Sequence, residues 1–143
     1  MLQFFAVAPL ELGDAVQAVD ATRVYVRSTR GIIAVEKNSG TVTELYTSAP
    51  DDGIWFLLVD DESVYFLGYR HDGLAIQAIA KTGGPARELS PGLLYNSSPW
   101  QMAQDQDSLY ILRARNDDLS TEILRLPKNG TGGTPIDTQG GAQ

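Results

Sequence analysis

Ala18-Val19-Asp20-Ala21-Thr22-Arg23-Val24-Tyr25-Val26, Leu58-Val59-Asp60-Asp61-Glu62-Ser63-Val64-Tyr65-Phe66 and Ala103-Gln104-Asp105-Gln106-Asp107-Ser108-Leu109-Tyr110-Ile111 align without gaps. Each runs Asp, three polar or small residues, then aliphatic-Tyr-apolar. The aspartates Asp20, Asp60 and Asp105 are 40 and 45 residues apart. A second motif follows each: Ile33 to Gly40, Gln77 to Gly84 and Leu124 to Gly130. Its lysines Lys37, Lys81 and Lys128 are 44 and 47 apart. A third element closes each unit, at Val42 to Leu45, Ala86 to Leu89 and, more weakly, Thr134 to Asp137. A period this regular is the signature of a repeat architecture.

Worked outward, one unit reads as four short strands. In the second, strand A is Trp55 to Val59, followed by a turn at Asp60-Asp61-Glu62-Ser63. Strand B is Val64 to Gly68, strand C about Leu74 to Ala80, and strand D about Ala86 to Leu89. Each run is short, rich in β-branched or aromatic residues and bounded by turn chemistry. The Asp opening each A–B turn caps backbone N–H groups two residues on. Gly40, Gly83-Gly84 and Gly130 supply the positive φ of the C–D hairpin. The adjacent aliphatic and tyrosine side chains of strand B point to opposite faces, so both faces can pack. No segment keeps a capped 3.6-residue period.

Four antiparallel strands in 40–45 residues match a β-propeller blade. The expected fold is all-β, a partial β-propeller of three consecutive four-stranded antiparallel blades. The units run over about 14–50, 54–94 and 99–138, with 1–13 the remnant strand of a preceding blade. The opening Met1 to Ala8 reads as a strand, since it lacks the basic region and long apolar stretch of a signal peptide. The closing Thr138 to Gln143 reads as a flexible tail.

The units resemble the YWTD-type propeller blade of the low-density-lipoprotein-receptor class and its bacterial six-bladed relatives, over about residues 15–138. Where that family carries Trp-Thr-Asp, these units carry Tyr25-Val26-Arg27, Tyr65-Phe66-Leu67 and Tyr110-Ile111-Leu112. The resemblance implies a six-bladed ring serving mainly in protein or ligand binding. Three blades cannot close a ring, and an open wedge exposes apolar flanks. The expectation is a head-to-tail homodimer completing six blades, with a fragment of a longer propeller as the alternative.

Composition narrows the function. Of 143 residues, 11 are basic and 18 acidic, giving a net charge of −7 with one histidine and no cysteine. This disfavours non-specific nucleic-acid binding and docking on anionic membranes. Lack of cysteine excludes disulfides, thiolate zinc sites and cysteine nucleophiles. No catalytic Ser elbow or phosphate loop occurs, and Gly130-Thr131-Gly132-Gly133 belongs to a hairpin. Asp105-Gln106-Asp107 is read as a turn, since the glycine and distal Glu of a calcium loop are out of register. No catalytic residue, metal or cofactor is expected. Trp55 and Trp100 are read as core packing at the start of strand A.

Any binding site should lie on the loop face formed by the D–A and B–C connections. There Arg27, Arg30, Arg70 and Arg115 could select an anionic or polar ligand, with Tyr69, His71, Tyr95 and Asn116 beside them. The reading is a non-enzymatic binding module for a protein, peptide or glycan. Alternatives are a propeller-type hydrolase or lyase with a central-channel site, or an inactive fragment. The sequence assigns no compartment, although the resembled family is often extracytoplasmic.

Overall fold

The computed structural model describes residues 14–28, 30–71, 73–90, 97–115, 117–130 and 132–136. These hold twelve strands and no helix. The first sheet contains β1 (Ala15–Val19), β2 (Arg23–Ser28), β3 (Gly31–Glu36) and β4 (Val42–Thr47). The second contains β5 (Gly53–Val59), β6 (Ser63–Arg70), β7 (Gly73–Ala80) and β8 (Arg87–Glu88). The third contains β9 (Ser97–Gln104), β10 (Ser108–Arg115), β11 (Thr121–Pro127) and β12 (Thr134–Ile136). Every sheet is antiparallel and keeps its strands in chain order. The chain is therefore three consecutive propeller-like blades, and they do not close into a ring.

The turn chemistry has the predicted causes. Asp20 Oδ1 accepts the N–H groups of Thr22 and Arg23. Asp60 Oδ1 does the same for Glu62 and Ser63, and Asp105 Oδ1 for Asp107 and Ser108. At the opposite end of the first sheet, Gly31 has φ +143°, and a Cβ there would lie 1.8 Å from the Tyr46 carbonyl oxygen. Only glycine lets β3 approach β4 that closely.

Alternation along the strands builds two cores from one central sheet. Ile54, Leu57, Val64, Phe66 and Ile79 turn towards the first sheet and meet Tyr25, Ile32, Ala34 and Leu45. Tyr65, Leu67, Ile76, Ala78 and Leu89 turn towards the third sheet and meet Met102, Leu109, Ile111, Leu124 and Leu126. The neighbours Val64 and Tyr65 thus enter different cores, as the strand-B pair requires. β5 lies between β1 and β9, so the opening strands of the three sheets line one edge.

The tryptophan expectation is corrected. Trp55 is 42% exposed. The β5–β6 register shifts between Ile54 and Phe56, so Trp55 occupies a bulge. Its two neighbours take the core directions, and the bulged residue turns outward. The Trp100 side chain lies outside the described residues. So do the remnant strand over 1–13 and the tail over 138–143.

Candidate functional site

The blades have two chemically distinct ends. One carries the β2–β3, β6–β7 and β10–β11 turns, where most of the sequence-predicted residues sit. Arg30 is exposed beside Gly31, and lines a cleft of about 270 Å³ with Ser28, Glu44 and Tyr46. Tyr69, at the end of β6, is 50% exposed, and His71 is exposed in the turn after it. Arg70 reaches Glu88 at 3.4 Å, and Arg115 reaches Asp117 at 3.1 Å. Arg27 stands apart from this set. Its Nη1 donates to the Trp55 and Ile54 carbonyl oxygens at 3.2 and 3.4 Å, joining the first sheet to the second. Tyr95 and Asn116 lie outside the described residues.

The other end carries the A–B and C–D turns and a network that recurs in every blade. The second oxygen of each capping aspartate accepts a tyrosine hydroxyl five residues on. Tyr25 donates to Asp20 at 2.8 Å, Tyr65 to Asp60 at 2.8 Å, and Tyr110 to Asp105 at 2.7 Å. In the first two blades the same oxygen then receives a lysine from the following blade. Lys81 Nζ lies 2.8 Å from Asp20 Oδ2, and Lys128 Nζ lies 3.1 Å from Asp60 Oδ2. Each ammonium also lies over the tyrosine ring it meets, 5.8 Å from the Tyr25 centroid and 5.0 Å from that of Tyr65. An arginine of the earlier blade completes each junction. Arg23 donates to the Lys81 carbonyl and Arg87 to the Lys128 carbonyl, both at 2.9 Å.

The electrostatics follow from this geometry. Burial alone would raise the Asp60 carboxyl. The N–H groups of Glu62 and Ser63, the Tyr65 hydroxyl and Lys128 together outweigh it and bring the pKa down to about 2. Asp20 is held well below the usual carboxylate range, burial again being outweighed, here by Lys81, Tyr25 and two backbone N–H groups. Asp105 is lowered by the Tyr110 hydroxyl and the N–H groups of Asp107 and Ser108. Burial and the neighbouring carboxylate push Tyr25 and Tyr65 up to about 12.

A cleft of about 540 Å³ lies along the second junction, lined by Asp60, Tyr65, Arg87, Gln104, Asp105 and Lys128 among others. A smaller one of about 330 Å³ lies along the first, between Asp20, Arg23, Tyr25 and Lys81. Much of each wall is formed by the network's own paired groups. Asp105-Gln106-Asp107 is an A–B turn, as its repeat position predicts. Among the described residues no group of three His, Cys, Asp or Glu side chains is arranged to hold a metal ion. The inter-blade role of the lysines escaped sequence reasoning, although their recurrence in phase with Asp and Tyr was visible.

No protein-family model matches the chain, and no curated protein matches it in sequence.

Proposed function

We propose that the chain is a non-enzymatic binding module, taking a protein, peptide or glycan on the end that carries the β2–β3, β6–β7 and β10–β11 turns. The observation that carries this reading is Tyr69. A half-exposed aromatic ring stands at the end of one of the longest hairpins, between exposed His71 and the rigid β6–β7 pair. Exposed aromatic and cationic groups on stiff strands suit recognition, because little side-chain freedom is lost on binding. Arg30 and Arg115 are exposed at the same end. Each blade thus brings a cation to this end, Arg70 paired with Glu88 and Arg115 with Asp117, and such exposed guanidinium groups suit an anionic or polar partner. The likeness of the units to YWTD-type and bacterial six-bladed repeats supports the same reading, since binding is that class's main use.

Catalysis is disfavoured on physical grounds. Four carboxylates are held below the ordinary range: Asp20, Asp60 and Asp105 cap turns and anchor tyrosines, and Asp118 accepts the Ser120 hydroxyl and N–H in its own turn. Their titration has a structural cause and gives no argument for a general acid or base.

A glycan array and a displayed peptide library test the reading. A retained glycan or peptide should bind Tyr69→Ala about tenfold or more weakly. Glu62→Ala, at the opposite end, should bind it as the wild type does. A ligand indifferent to Tyr69→Ala but lost in Glu62→Ala would contradict the proposal, as would no ligand from either library.

A further inference from the structure

The junction network is complete twice and half-complete twice. Asp20 and Asp60 each receive a lysine from the next blade. Asp105 holds its two turn N–H groups and the Tyr110 hydroxyl, and among the described residues no lysine reaches it. At the other flank Lys37 is the matching ammonium. Its backbone is placed like that of its counterparts: the N–H of Lys37 donates to the Thr22 carbonyl, that of Lys81 to Glu62, and that of Lys128 to Asp107. Yet among the described residues Lys37 Nζ meets only main-chain carbonyls of its own blade, those of Asp20 and Ala21.

The apolar surfaces repeat this asymmetry. In the second sheet Val59, Val64 and Ile79 lie in register across three strands, and this row packs on the first sheet. In the third, Leu109 and Leu126 hold the corresponding places and pack on the second. In the first sheet the row is Val19, Val24, Val35 and Val42. There Val19 is 57% and Val42 37% exposed. Across the chain, Tyr110 of the third sheet is only half-buried, whereas Tyr25 and Tyr65 are buried.

We propose that these two flanks are one interface: a second copy of this chain lays its Val19–Val42 row on the third sheet, and Lys37 of that copy enters the Asp105–Tyr110 socket. The occupant is fixed by complementarity. The socket presents a carboxylate oxygen and a ring face, which two internal junctions show to be filled by a lysine at this backbone position. The row presents the apolar surface that both internal junctions bury. Arg125 faces the same side as Tyr110, since the two are cross-strand partners. Its Nε donates to the Ser108 hydroxyl oxygen at 3.1 Å, and its remaining N–H groups are offered to the carbonyl of the incoming lysine, as those of Arg23 on β2 and Arg87 on β8 are at the internal junctions. A head-to-tail contact related by a two-fold axis uses both flanks of both copies and closes. This inference rests on the repeated junctions alone, not on the ligand proposed for the opposite end.

Charge exchange between variants tests it, with mass read by analytical ultracentrifugation and fold by circular dichroism. The wild type should sediment as two chains. Lys37→Glu brings a second carboxylate against Asp105 at both contacts, and Asp105→Lys sets two ammonium groups together, so each alone should sediment as one chain. An equimolar mixture of the two should return to two chains, because one contact is then native and the other charge-reversed. Should Asp105→Lys lose its sheet signal, Asp105→Asn keeps the turn-capping oxygen, and the dimer should be about tenfold weaker or more. A wild type that stays a single chain overturns the proposal. So does a Lys37→Glu variant of unchanged mass, a folded mixture that fails to pair, or Asp105→Asn with undiminished dimerisation.

Discussion

Phe66→Ala is expected to destabilise the chain by about 3–5 kcal/mol, the usual range for emptying a buried aromatic site. Phe66 is 1% exposed and sits on the face of β6 that packs against the first sheet. Its ring centroid lies 4.7 Å from that of Tyr46. Truncation removes apolar burial and leaves a void between two sheets, neither of which can collapse without breaking its own ladder. Since domains are stable by only about 5–15 kcal/mol, much of the folded population should be lost. Trp55→Ala, a larger truncation, should cost about 1 kcal/mol or less, because the bulge already turns that side chain outward. Urea denaturation followed by circular dichroism ranks the two. Trp55→Ala as costly as Phe66→Ala would mean that β5 has the other register.

Asp60→Ala is the second large effect, at about 2–3 kcal/mol. One side chain there caps two N–H groups, accepts the Tyr65 hydroxyl and meets Lys128. Its loss removes a turn cap and strands four donors near the surface of a core. Asp60→Asn retains an oxygen for the turn and should cost about half as much. The pH dependence has a definite sign. The folded pKa of about 2 is below the roughly 3.9 of a free aspartate. The contribution is therefore fully present above about pH 5 and fades as pH falls through about 4 towards 2. Asp20, depressed in the same direction, adds to the acid loss. Thermal melts from pH 7 to 2 should show the wild type falling in that window and Asp60→Asn falling less. Equal falls would remove Asp60 from the account.

Much of the fold was legible because each signal is local. The Asp-to-Tyr spacing encodes a capped turn and a hydroxyl contact within one hairpin. Gly40, Gly83, Gly84 and Gly130 take the positive φ that the C–D turns need, at +72°, +90°, +112° and +79°. Alternation in Ser63–Arg70 already says that β6 feeds two cores. Trp55 leaves the expected core position because a bulge is set by pairing with β6, which periodicity within β5 does not record. The lysines were visible as a repeat, but their partners lie 61 and 68 residues away in the preceding unit. A repeat pattern gives equivalence between units, not which unit a side chain serves. The end that carries the β2–β3, β6–β7 and β10–β11 turns is visible in the sequence only as loops. Of its predicted residues, Arg27 joins two sheets instead, because β5 carbonyls lie within its reach.

Equivalent blades follow one another in chain order, with Lys81 and Lys128 each closing on the blade before its own. Nuclear Overhauser contacts between lysine ε-methylene and tyrosine ring protons test this most directly. Lys81 should show contacts with Tyr25, and Lys128 with Tyr65. Contacts of Lys81 with Tyr65 and of Lys128 with Tyr110, each lysine on the tyrosine of its own unit, would contradict it.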